Sequence, residues 1–72
     1  MYYRAVIFTS DIVLICGISD SSARRLLRRI RKEFDKKPNH FVTVEEFCFS
    51  TGIAKEVVYE HFDALGENRD LG

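Results

Sequence analysis

The sequence predicts an all-α domain of four short helices in two Gly-centred pairs, with residues 5–8 and 40–43 suited to a minimal two-stranded ribbon. Three observations predict it. Ala23, Leu26, Leu27, Ile30 and Phe34 recur at helical spacing and share one stripe about 100° wide. Ile12-x4-Gly17-Ile18 returns as Phe47-x4-Gly52-Ile53, and Ala23 and Leu27 return as Val58 and Phe62, each 35 positions later. The chain of 72 residues supports a single hydrophobic core, so both copies belong to one domain, residues 1–72. Upstream, Phe8-Thr9 and Val42-Thr43 match at 34 positions, which implies one inserted residue. Two copies make a duplicated unit rather than a solenoid.

Residues 2–8 are aromatic and β-branched and give a short extended arm or edge strand. Tyr2, Tyr3, Val6, Ile7 and Phe8 are too apolar to remain in water. They either cover a helix groove, pair with Phe41-Val42, or pair across a dimer. Thr9 or Ser10 caps a first helix through Cys16, and Gly17 closes it because glycine takes positive φ freely. Ser19 caps a second helix running to about Lys36. Pro38 ends that helix, and the turn at 36–40 separates a basic unit, 9–37, from a second unit, 38–66. Thr43 caps a third helix with Glu46 in the capping-box position, and Gly52 ends it. A fourth helix covers 54–65, and 67–72 form a frayed tail.

Net charge is zero, but its two halves differ. Residues 1–37 hold nine basic and four acidic side chains, a net of +5; residues 38–72 hold two and seven, a net of −5. Such asymmetry points to one half that faces a polyanion. A 46% hydrophobic and 31% charged composition suits a soluble globular chain. No apolar run approaches the roughly 20 residues of a bilayer crossing, and the N-terminus has no small-residue cleavage site. A cytoplasmic, membrane-free location is expected, nucleoid-associated in a bacterium. Cys16 and Cys48 then read as small buried hydrophobes in a reducing compartment.

Away from its apolar stripe, the second helix carries Arg24, Arg25, Arg28, Arg29, Arg31, Lys32 and Lys36, interrupted mainly by Asp35. A solubilising face usually mixes signs at i,i+4. Here Arg24 faces Arg28, Arg25 faces Arg29 and Arg28 faces Lys32, each pair costing about 0.3 kcal/mol. Arginine also dominates, and its planar fork matches phosphate and the guanine edge. Double-stranded DNA is the partner expected for this face. The alternative is an adaptor whose basic helix docks on an acidic protein.

Thr9 to Arg28 resembles a twenty-residue helix-turn-helix DNA-binding motif. The turn glycine falls on Gly17 and the apolar positions on Ile12, Cys16, Ile18, Ala23 and Leu26, while Val13 departs from the motif's small residue. The chain is similar to small excisionase-like and MerR-like bacterial regulators. That resemblance implies a second helix inserted in the major groove, with Ser19, Asp20, Ser21, Arg24, Arg25 and Arg28 facing bases. Ser21 and Ser22 would bond phosphate or base, and Arg29, Arg31, Lys32, Lys36 and Lys37 would hold phosphates. It implies a transcriptional regulator or mobile-element accessory factor, working as a homodimer on two half-sites.

The second unit fits the motif more loosely. His61 falls on an apolar position, and Lys55, Glu56, Tyr59, Glu60 and Asp63 give an exposed face that phosphate repels. Val44, Phe47, Cys48, Ile53, Val57, Val58, Phe62 and Leu65 are expected to form the other half of the core. The acidic face is left for dimerisation, a partner protein or a neighbouring copy's basic helix. Cys16, His40, Cys48 and His61 have no zinc-finger spacing. Neither a nucleophile elbow nor a phosphate loop is present. No enzyme activity, cofactor, metal or small-molecule substrate is expected.

Overall fold

A computed structural model describes residues 3–66. In order, these form β1 (Val6–Ile7), α1 (Thr9–Cys16), α2 (Asp20–Glu33), β2 (Val42–Thr43), α3 (Val44–Thr51) and α4 (Lys55–Ala64). The domain is mostly helical, and the ribbon is present. β1 and β2 pair antiparallel, with Val6 opposite Thr43 and Ile7 opposite Val42. The Val44 N–H extends the ladder by donating to the Ala5 carbonyl at 2.9 Å.

Each unit is built the same way: a short strand, a helix, a left-handed glycine and a second helix. Gly17 (φ 66°) and Gly52 (φ 76°) take the conformation that an L side chain resists, and each donates its N–H back into the helix it ends. The equivalence runs at 35 positions from the start of α1 and α3, through the glycines, to the start of α2 and α4. Phe8, rather than Thr9 or Ser10, is the N-cap of α1, matching Thr43 on α3, so the residue expected as an insertion is absent. Phe8 has no side-chain acceptor, so only the reciprocal half of a capping box forms, with Asp11 accepting the Phe8 N–H at 2.8 Å. On α3 the capping box is complete: Thr43 accepts from the Glu46 N–H at 3.1 Å, and Glu46 accepts from the Thr43 N–H at 2.9 Å.

Ile7 and Val42 are themselves 35 positions apart and sit opposite one another, as a two-fold relation between the units demands. The helices obey the same relation. α1 packs on α2 and α4, while α3 packs on α4 and α2. The core joins both units: Ile12 with its counterpart Phe47, Ala23 with Val58, and Leu27 with Phe62 are all buried, alongside Ile7, Ile30, Val42 and Val44. Cys48 and Ile53 pack at its margin. Val57 (44% exposed) and Leu65 (46%) were expected inside but lie outside, Leu65 because α4 has already ended at Ala64. The arm both pairs and covers. Beyond β1, Tyr3 stacks on Tyr59 of α4 with ring centroids 4.4 Å apart. Tyr2 and the expected tail at 67–72 lie outside the described residues.

α2 is shorter than its sequence suggests. It closes before Pro38, with the Asp35 N–H donating to the Lys32 carbonyl at 3.2 Å and the Lys36 N–H to the Arg31 carbonyl at 2.7 Å. These are the two bonds of a Schellman closure, and Asp35 (φ 54°) occupies the left-handed position that glycine usually fills.

Candidate nucleic-acid interface

The amphipathic stripe of α2 sets which side chains leave the surface. Ala23, Leu27 and Ile30 are buried, and Leu26 and Phe34 are half-buried, so the opposite face turns outward with its cations. Ser19 caps the helix by accepting the Ser22 N–H at 3.2 Å. That places Ser21 on the exposed first turn and leaves Ser22 half-buried, its hydroxyl hydrogen-bonded to that of Ser19.

Four exposed cations, Arg25, Arg28, Arg29 and Lys32, have no carboxylate partner among the described residues. Arg25 and Arg29 border a shallow groove with Ile18, Ser22 and Leu26. The other expected cations are placed differently. Arg24 forms an exposed i,i+4 ion pair with Asp20, which a polyanion could displace because surface pairs are weak. Arg31 is half-buried, and its Nε donates to the His40 carbonyl at 3.0 Å, tying α2 to the following turn. Lys36 lies beyond the helix end. Its side chain is 19% exposed, and its ammonium is 3.1 Å from Glu46 and so is already neutralised within the chain. It belongs to the joint between the units rather than to the basic face; Lys37 is exposed.

A second polar cluster was not expected from the sequence. Asp11 is only 1% exposed, yet its carboxylate accepts two bonds from Arg4, at 2.6 and 2.8 Å. With that carboxylate ionised, His61 donates to it from Nε2 at 2.8 Å. Arg4 lies over the Phe62 and Phe8 rings, 4.3 and 5.0 Å from their centroids, a placement suited to cation–π attraction. Burial by itself would raise the Asp11 pKa. The bonds from Arg4, His61 and the Phe8 N–H outweigh burial and hold it below the ordinary carboxylate value. Only His61, a polar residue on an expected apolar position, signalled this cluster in the sequence. Its near-complete burial and mutual pairing make it a structural bolt between the arm, α1 and α4.

Burial pushes the thiols of Cys16 and Cys48 above their ordinary pKa, which favours the protonated, unreactive form. Among the described residues no group of three or more His, Cys, Asp or Glu side chains could hold a metal ion, and no helix is long and apolar enough to cross a membrane. No protein-family model, curated protein or solved structure matches the chain.

Proposed function

We propose that the chain binds double-stranded DNA through α2. In this reading α1, the Gly17 turn and α2 form a helix-turn-helix unit whose second helix enters the major groove. α3 and α4 form a related unit that completes the core and stays clear of phosphate, because Glu56, Glu60 and Asp63 are exposed on α4. A role as a regulator or mobile-element accessory factor follows from that mode of binding.

The observation that carries the reading is the unpaired row of Arg25, Arg28, Arg29 and Lys32 on one exposed helix face of a chain whose net charge is zero. Plain solvation does not require like charges at i,i+4, which repel. Phosphate spacing and guanine edges both reward them. Arg25 and Arg28 lie nearer the helix start and are assigned to base edges, with Ser21 beside them. Arg29 and Lys32 are assigned to the backbone.

Titration of a random duplex at two ionic strengths tests the reading. On a random duplex, where Arg25 and Arg28 find no preferred base and engage phosphate together with Arg29 and Lys32, four neutralised phosphates give a slope of log K on log salt of about −4. Arg28→Ala and Arg25→Ala each weaken specific binding by about ten-fold and relax selectivity at one base position. A chain that shifts no duplex at low salt rejects DNA binding and leaves docking on an acidic protein as the use of this face.

A further inference from the structure

α2 and α4 hold equivalent places in the two units, and their outward faces carry inverted charge. Asp20 on α2 corresponds to Lys55 on α4, Arg25 to Glu60 and Arg28 to Asp63, and all six side chains are exposed. The paired positions share the same helical frame because the 35-residue offset holds from cap to core. Asp63 accepts a hydrogen bond from the Tyr3 hydroxyl at 3.2 Å, which orients its carboxylate without neutralising it. Two helical faces of one chain therefore hold equivalent positions and oppose in sign. With no net charge, copies of the chain lack the overall repulsion that keeps many small domains apart.

We propose that the acidic outer face of α4 is a docking surface for the basic outer face of α2 on a second copy of this chain. The contact joins unlike faces, so a pair retains a free basic helix on one copy and a free acidic helix on the other, and association either extends or closes on itself. Val57, exposed on α4, adds apolar area beside the charged row. The docked α2 presents Arg25 and Arg28 to Glu60 and Asp63 of its neighbour. Those two arginines are also the ones assigned to base edges, so a duplex and a second copy compete for them. Each docked α2 is thereby held out of use until a stronger polyanion displaces the acidic helix.

Sedimentation velocity of the full chain at about 20 mM and about 500 mM salt provides the test, since screening at the higher value removes attraction between exposed charges. Wild-type protein is expected to exceed monomer mass at low salt, increasingly with concentration, and to return to monomer at high salt. The Arg25→Glu/Arg28→Asp variant is acidic at the docking positions of both helices, and the Glu60→Arg/Asp63→Arg variant is basic at both. Each is expected to be monomeric alone, and an equimolar mixture to associate. The neutral variants Arg28→Gln and Asp63→Asn, milder in their effect on folding, are expected to weaken wild-type association about three-fold each. A wild type monomeric at low salt, a salt-independent association, or mixed variants of native helical circular dichroism that fail to combine would overturn the proposal. Added random duplex is expected to lower the associated fraction. A chain that self-associates in this pattern but binds no duplex supports the docking surface and rejects only the DNA reading.

Discussion

Asp11 shows how one side chain can hold distant parts of this chain together. Arg4 comes from the arm and His61 from α4, and both converge on a carboxylate that has almost no access to water. Breaking a buried pair by removing one partner costs about 3 kcal/mol, more than the pair itself contributes, because the remaining groups stay desolvated. Asp11→Asn is therefore expected to lower stability by about that amount in urea unfolding at neutral pH. The pH dependence follows from the same geometry. The folded pKa of Asp11 is depressed below its unfolded value, so its contribution is fully present above the unfolded value and is lost as pH falls through the folded one. Glu46 acts in the same direction: burial would raise its pKa, but the Thr43 N–H and Lys36 outweigh it. Wild-type stability should fall as pH drops below about 4, and Asp11→Asn should flatten part of that decline. Equal acid limbs in the two proteins would remove Asp11 from the account. Beyond His61 on an apolar position, this cluster was not legible in the sequence, because its members lie 7 and 50 positions from Asp11 and no local pattern links them.

Elements were far easier to read than such contacts, since helical periodicity, caps and left-handed glycines act over a few residues. The stripe of α2, the Ser19 and Thr43 caps and the turns at Gly17 and Gly52 all follow from short-range chemistry. The helix end did not, because the helix stops at a left-handed Asp35 and not at the helix-breaking Pro38. The left-handed position belongs to Asp35, a residue that tolerates it only modestly, and the chain then needs three more residues to reach the proline. That displacement removes Lys36 from the helix face and delivers it to Glu46. It also explains why the basic surface is narrower than the wheel of charges suggested. Asp35→Gly is expected to stabilise the domain by about 0.5–1 kcal/mol, since glycine adopts the required φ without strain. The measurement is thermal unfolding at fixed pH and salt, with Lys37→Ala as a neighbouring surface control. No change on Asp35→Gly would mean that the aspartate recovers its strain through local hydrogen bonding.

The whole molecule carries a physical consequence of its two-fold relation: neither unit owns a complete core. Ile12 and Leu27 of the first unit are buried in one cluster with Phe47 and Phe62 of the second, α1 packs on α4, and α2 packs on α3. The ribbon takes one strand from each unit, and two residues per strand cannot stand alone in water. The buried carboxylate of Asp11 likewise draws one of its donors from the far end of α4. A chain cut after Lys37 would retain all of the proposed DNA-contacting cations but would expose the apolar stripe of α2, and isolated helices of this length are marginal in water. Residues 1–37 alone are expected to show little helix by circular dichroism, and residues 38–72 alone likewise. Mixing the two fragments should restore helix cooperatively, because each supplies the surface that the other must bury. The intact chain should unfold in one transition by fluorescence and circular dichroism. A first fragment that folds alone would make the acidic unit an appendage and not half of the core. It would also free α2 from the scaffold that presents its cations on a single face, and the proposed DNA binding would then rest on the charge of the helix and not on the shape that the second unit gives it.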